Sequence, residues 1–105
     1  MQNNKYTIEL SKHAVKRTQQ RGIKQGIINL ITSEADRVFH ANDNCLSISI
    51  SRKKLFYLKK LGKISSSNIK EADGVTLIQD NLGKIMTAFH KTKRYRQKKY
   101  SKWGQ

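Results

Sequence analysis

The segment SKHAVKRTQQRGI, residues 11–23, sets the start of the fold. Its first residue, Ser11, is a good helix N-cap, because a serine hydroxyl can accept a hydrogen bond from a free backbone N–H. Gly22 fits a C-terminal stop, since glycine adopts the left-handed conformation that ends many helices. The sequence therefore predicts a first helix from about Lys12 to Gln20.

The same segment carries a charged face. His13, Arg17 and Arg21 follow one another at four-residue steps, so a helix stacks the three side chains on one side. A histidine can transfer protons near neutral pH, and guanidiniums bind phosphate oxygens. Each residue could instead be ordinary surface charge. In a chain of net charge +15, the spacing favours nucleic acid as the ligand.

Basic residues are clustered along the chain. It has 105 residues, with 22 Lys and Arg against 7 Asp and Glu. Residues 12–24, 52–63 and 91–105 hold 18 of these positive charges and no acid. Such clusters can also attach a protein to a membrane. We expect no membrane partner, because the sequence shows no long apolar segment, signal peptide or lipidation motif.

Helical patterns continue beyond the first segment. A second helix is predicted to begin near Lys24, with an isoleucine-rich apolar face over residues 27–31. Residues 53–61 suit a helix with Ser51 as its cap, and a basic strand is the alternative. Residues 65–68 are predicted to be a loop.

The other apolar segments of the sequence show strand patterns. Strands are predicted over residues 37–40 and 46–50, and a hairpin joins 75–79 to 84–90 through a turn at 80–83. In the last strand, strict alternation places Ile85, Thr87 and Phe89 on one face and Met86, Ala88 and His90 on the other. Two N-terminal helices followed by a small antiparallel sheet define an α+β domain, predicted over residues 1–92 with a basic tail at 93–105.

The chemistry open to this chain is limited by its carboxylates. No acidic pair has the spacing of a two-metal nuclease, and the three histidines and one cysteine match no zinc pattern. We therefore expect no metal and no cofactor. RNA can still be cleaved, since its 2′-hydroxyl can attack the neighbouring phosphate. The candidate acid–base groups are His13 and His90, with Arg17 and Arg21 for the phosphate and Thr87 as a hydrogen-bond donor.

Two motifs in the chain resemble those of a known family. The pattern His13-Ala14-x-x-Arg17-x-x-x-Arg21-Gly22-Ile23, followed by an isoleucine-rich helix, is similar to the opening motif of small RelE-like toxin domains. The run Ile85-Met86-Thr87-Ala88-Phe89 is similar to that family's closing strand. The resemblance covers roughly residues 8–35 and 75–92.

The resemblance implies a fold, an activity and a setting. The fold is that of the barnase–EndoU–colicin–RelE (BECR) superfamily, with N-terminal helices packed on a small curved antiparallel sheet and an active cleft over the sheet. The activity is a metal-independent endoribonuclease. Such domains occur as toxins of toxin–antitoxin loci and as C-terminal parts of interbacterial toxins. We therefore expect action on RNA in the cytoplasm, either as a free toxin or after delivery from another cell within a larger protein.

These expectations assign roles to residues and partners. The catalytic candidates are His13, Arg17, Thr87 and His90, and the substrate-binding candidates are Arg21, Lys91, Lys93 and Arg94. The substrate is tRNA, mRNA or ribosome-bound RNA. A toxin also needs a neutralising antitoxin or immunity protein, and a +15 chain favours an acidic one.

A second interpretation is a non-catalytic module that binds RNA or the ribosome. It explains the charge and the aromatic residues Tyr95, Tyr100 and Trp103 among the tail's cations, because aromatic rings stack on bases. It does not explain why His13 shares a helix face with arginines.

Overall fold

The computed structural model describes residues 8–42 and 44–91. In chain order, the elements are α1 (Lys12–Gln20), α2 (Gln25–Glu34), β1 (Arg37–His40), β2 (Leu46–Ser49), α3 (Arg52–Lys60), α4 (Ser66–Ala72), β3 (Val75–Gln79) and β4 (Ile85–His90). The described chain is therefore of the α+β class, as the sequence predicts.

The four strands form one antiparallel sheet in the order β1-β2-β3-β4. Its central residue Leu77 pairs with Ile48 on one side and Ala88 on the other, so these side chains share a face. All three are buried in one cluster with apolar residues of the four helices. The helices thus cover one face of the sheet. The opposite face, here called the open face, carries Arg37, Phe39, Ser47, Ser49, Thr76, Ile78, Thr87 and Phe89.

Local capping defines helix α1, whose predicted bounds are confirmed. The Ser11 hydroxyl accepts a hydrogen bond from the Ala14 amide at 3.0 Å. At the other end, Gly22 has a φ of +66°, which an L side chain rarely adopts. The next amide, of Ile23, donates back to the Thr18 carbonyl at 2.9 Å. This hydrogen bond and the left-handed glycine are features of a Schellman C-terminal motif. Short-range chemistry therefore decides where this helix begins and ends.

The segment after β2 contains more helix than predicted. Residues 53–61, open between helix and strand, lie almost wholly in helix α3, which Ser51 caps by accepting from the Lys54 amide. The predicted loop at 65–68 is wrong, because α4 begins there. Ser65 and Asn68 form a capping box, in which each side chain accepts from the other residue's backbone amide. Serine and asparagine are common in loops, but here they start a helix.

Strand β4 contains a bulge that the predicted alternation misses. Thr87 and Ile85 pair with consecutive residues of β3, so Met86 is an extra residue in β4. The prediction that Ile85 shares a face with Thr87 is therefore wrong. Ile85 turns into the core, where it is fully buried beside Ala88, while Thr87 stays on the open face.

Two further predictions concern a membrane partner and the basic tail. No helix within residues 8–42 and 44–91 is long and apolar enough to cross a membrane. The predicted basic tail, 93–105, lies outside the described residues, as do the tail's aromatic residues.

Candidate functional site

The candidate site is built where the start of α1 meets β4. The amide of Ser11 donates to the Ile85 carbonyl at 2.9 Å, and the Ile85 amide donates to the Glu9 carbonyl at 2.8 Å. The Ser11 hydroxyl, which caps α1, also donates to the Met86 carbonyl at 3.0 Å. One serine therefore joins the first turn of α1 to the bulge of β4.

This junction joins the two chain segments that carry the predicted site residues His13 and Thr87. His13 follows Ser11 by two residues, and Thr87 directly follows Met86. Both therefore lie within two positions of the hydrogen bond that joins Ser11 to Met86. Helix α1 packs against β4, and its Ala14 and Thr18 are buried.

His13 and Arg17 form a hydrogen-bonded pair on α1. Arg17 Nε donates to His13 Nε2 at 3.3 Å, on an exposed part of the surface. Because a guanidinium has no acceptor, the His13 ring nitrogen is the acceptor in this hydrogen bond. The remaining N–H groups of Arg17 take no part in this hydrogen bond. The pair therefore combines a proton acceptor with a cation that can bind phosphate.

The predicted substrate-binding residues are spread more widely. Arg21 is exposed at the C-cap of α1, one turn beyond Arg17. Lys91 follows β4, and its amide donates to the Gly74 carbonyl at 2.7 Å. The other two predicted residues, Lys93 and Arg94, lie outside the described residues.

The two site residues predicted on β4 lie on different faces. Thr87 pairs with Ile78 on the open face, and Thr87 itself is half-buried. His90 pairs with Val75, a core residue, so its side chain is on the helix-covered side, where the strand ends and His90 is exposed. The structure does not bring Thr87 and His90 together on one surface.

The open face also contains residues that the sequence did not single out. Register places Phe39, Ser47, Ile78 and Thr87 in one row across the four strands. The guanidinium of Arg37 lies 5.7 Å from the centre of the Phe39 ring, a cation–π distance. The available signal was the arginine-x-phenylalanine spacing in a strand, which places both side chains on one face. The open face thus adds an aromatic ring and a cation in line with Thr87.

Most of the acidic side chains serve the fold. Asp36 accepts from the amide and the hydroxyl of Ser51 at 2.8 and 2.6 Å. Partial burial raises the pKa of Asp36, but the bonds from Ser51 and the charge of Lys54 outweigh it and hold the pKa below its ordinary value. Asp80 accepts from two amides in the turn before β4.

Ion pairs engage other carboxylates. Glu71 of α4 binds Lys24 at the start of α2, with 2.8 Å between Nζ and Oε2. This hydrogen bond raises the pKa of Lys24 and lowers that of Glu71, because it stabilises both charged forms. Across the described ranges, no group of three or more His, Cys, Asp or Glu side chains could hold a metal ion. Within residues 8–42 and 44–91, none of the carboxylates forms an ion pair with a cation of α1.

A shallow groove lies elsewhere on the surface. It runs between α2 and α4 and is lined by Lys24, Leu30, Ser33, Lys63 and Glu71, among others. None of the predicted site residues contributes to it. Ligand binding there would not involve the pair on α1.

The geometry of the site is that of an exposed histidine–arginine pair at the edge of an α+β domain. Compared with family models, curated proteins and solved structures, this chain matches none.

Proposed function

We propose that this protein is a metal-independent endoribonuclease of the RelE-like toxin class with a BECR-type fold. The observation that carries the proposal is the contact of 3.3 Å between Arg17 Nε and His13 Nε2. It places an imidazole nitrogen against a guanidinium on an exposed helix without acidic residues. RNA supplies its own nucleophile, so a base and a cation are the groups that the protein must provide.

RNA binding would activate the pair by competition for Arg17. A phosphate is a stronger acceptor for a guanidinium than a neutral ring nitrogen, since ionised acceptors form stronger hydrogen bonds. When Arg17 turns to the phosphate, the lone pair on His13 Nε2 becomes free. Nε2 then takes the proton of the 2′-hydroxyl as its oxygen forms a bond to phosphorus.

The remaining steps balance the reaction. The bond from phosphorus to the 5′ oxygen breaks, which leaves a 2′,3′-cyclic phosphate. Arg17 stabilises the negative charge that develops on the phosphoryl oxygens, and the Thr87 hydroxyl can donate a hydrogen bond to one of them. In this scheme, solvent protonates the leaving oxygen.

The decisive experiment is cleavage of a defined RNA by the purified protein in a chelator. We expect cleavage with a 2′,3′-cyclic phosphate end, and loss of at least a hundredfold in rate for His13→Ala. Lys70→Ala, which removes an exposed cation of α4, is the control and should keep its activity. A magnesium requirement in the chemical step, or equal cleavage of DNA, would contradict the mechanism.

Substitutions of Arg17 and Arg21 should have different kinetic effects. Arg17→Ala should lower kcat, since its charge matters most in the transition state. Arg21→Ala should mainly raise KM, because Arg21 lies one turn farther along α1 and would bind flanking backbone. The variant His90→Ala should leave kcat nearly unchanged. A large fall in kcat for His90→Ala would instead make His90 the general acid.

The toxin assignment implies a neutralising partner. We propose an acidic antitoxin or immunity protein that covers α1, because opposite charge favours encounter and that surface carries the reacting groups. The test is co-purification followed by footprinting of the toxin. Protection of His13 and Arg17 in the complex would support occlusion, and protection confined to the far side of the domain would contradict it.

The second candidate function is a non-catalytic RNA- or ribosome-binding module. The observation that favours it is the separation of Thr87 from His90, together with the exposed position of His13. For such a module, His13→Ala would retain RNA binding and the wild type would not cleave RNA. Growth arrest by the wild type but not by His13→Ala would favour the ribonuclease.

A further inference from the structure

Helix α3 has an outer surface that neither proposed function uses. Its inner side chains, Leu55 and Leu58, are almost completely buried. Two aromatic residues lie between these leucines in the sequence, yet Phe56 is 52% exposed and Tyr57 is 55% exposed. Large aromatic side chains usually dominate cores and interfaces, so two adjacent exposed rings indicate a surface that contacts something else.

Lysines occupy the same surface. With about 3.6 residues per turn, the direction opposite the buried leucines falls on Lys53 and Lys60. Phe56 lies on one side of this line and Tyr57 on the other. These four residues are called the outer stripe of α3. Two cations lie within one stripe of helix, each next to an aromatic ring.

The charges of the outer stripe are not neutralised by the fold. At the start of α3, Arg52 pairs with Asp73 at 3.5 Å and Lys54 pairs with Glu34 at 3.7 Å. These two cations flank the stripe. Within the part of the chain that the structure describes, neither Lys53 nor Lys60 forms a salt bridge. The fold therefore uses the flanking cations and leaves the central ones for an external anion.

The arrangement favours RNA over a membrane surface. A helix that inserts into a membrane interface separates an apolar face from a charged face. In α3 the apolar face is already used by the domain core, and the outer stripe mixes cations with aromatic rings. That mixture suits nucleic acid, because lysines bind phosphates while rings stack on unpaired bases.

We propose that the outer stripe of α3 is a second RNA-binding surface, which holds a part of the substrate remote from the scissile phosphate. The proposal rests on the proposed ribonuclease function. Helix α1 packs on β4, whereas α3 packs on α4, so the two basic surfaces belong to different parts of the domain. An RNA that reaches both is longer than the segment bound at His13. The preferred substrate class is thus a long or folded RNA with unpaired bases.

The test compares a long and a short substrate in two double variants. Lys53→Gln/Lys60→Gln removes the charges and keeps good helix formers, and Phe56→Ala/Tyr57→Ala removes the rings. Lys70→Gln/Lys84→Gln is the control, because it removes two charges outside α1 and α3. The substrates are a mixture of tRNAs and a dinucleotide, and melting temperatures show whether each variant is folded.

We expect the stripe variants to raise KM for tRNA at least fivefold and leave dinucleotide cleavage unchanged. The lysine variant should also lower the slope of log Kd against log salt concentration by about 1 to 2. Equal effects on both substrates, or no effect on tRNA, would overturn the proposal. Loss of binding to anionic lipid vesicles with unchanged tRNA binding would also overturn it and assign the stripe to membranes.

A binding measurement keeps this inference separate from the proposed function. Affinity for uncleaved tRNA is measured in the His13→Ala background, with and without the stripe substitutions. If the wild type cleaves no RNA but the stripe variants bind tRNA at least fivefold more weakly, the ribonuclease proposal fails and the binding surface stands. If cleavage occurs and tRNA affinity is unchanged by the stripe substitutions, the inference fails alone.

Discussion

Ser11→Ala is the substitution that tests how the site is assembled. The Ser11 hydroxyl accepts from the Ala14 amide at 3.0 Å and donates to the Met86 carbonyl at 3.0 Å. Alanine removes both hydrogen bonds and leaves the backbone bond from the Ser11 amide to Ile85 in place. The substitution thus loosens the junction between α1 and β4 without touching a proposed catalytic group.

The expected loss of stability is the sum of two effects. Losing the N-cap costs about 1 kcal/mol. Losing the only side-chain donor described for the part-buried Met86 carbonyl costs about 1 kcal/mol more. The free energy of unfolding should therefore fall by about 2 kcal/mol. In a domain of this size, 1 kcal/mol shifts the melting temperature by roughly 4–8 °C.

The matched control is Ser65→Ala. Ser65 caps α4, and among the described residues its hydroxyl bonds involve only Asn68, three residues away. Chemical denaturation should show a loss of about 1 kcal/mol for this variant. Cleavage of RNA, measured at a temperature where both variants are folded, should fall for Ser11→Ala and remain unchanged for Ser65→Ala. Ser11→Thr retains a hydroxyl and should restore most of both properties.

Two results would refute this reasoning. Equal losses of stability for Ser11→Ala and Ser65→Ala would mean that the bond to Met86 contributes nothing. Unchanged RNA cleavage in a folded but destabilised Ser11→Ala protein would mean that the junction does not position His13 and Thr87.

Three other substitutions test features of the sheet and its surroundings. Gly74→Ala should destabilise by about 2–4 kcal/mol in denaturant titrations, because Gly74 has a φ of +83° and an added Cβ would lie 2.8 Å from the Lys91 carbonyl oxygen. Asp36→Asn should destabilise by about 1 kcal/mol at pH 7, since the bonds from Ser51 lower the pKa of Asp36 in the folded state. That contribution is present above the unfolded pKa of about 3.9 and is lost as the pH falls through the lower folded value, so melting curves of the two proteins should converge in acid. Thr76→Val should stabilise by about 1 kcal/mol in thermal melts, because the buried Thr76 hydroxyl has no hydrogen-bond partner among the described residues. A loss of stability would show that this hydroxyl is satisfied.

Short-range patterns in the sequence were sufficient for much of the fold. Helix α1 runs over the residues that Ser11 and Gly22 predict, because a cap and a left-handed glycine act on the nearest turn of backbone. The hairpin of β3 and β4 was also predictable from its alternating residues and turn. The same local reasoning failed at Ser65, where loop-type residues instead cap a helix. Composition was a weaker guide there than cap geometry.

The candidate site also has one part that the sequence determined and another that only the tertiary structure decided. The shared helix face of His13 and Arg17 follows from their four-residue step, so the sequence alone determined it. Their hydrogen bond is a finding of the structure. The relation of that pair to Thr87 and His90 was decided only by the tertiary structure. The bond from Ser11 to Met86 joins residues 75 positions apart, and the bulge at Met86 changes which side chains of β4 face the core. No local pattern encodes either feature, because a bulge and a distant hydrogen bond form only when the whole sheet and the helix pack together.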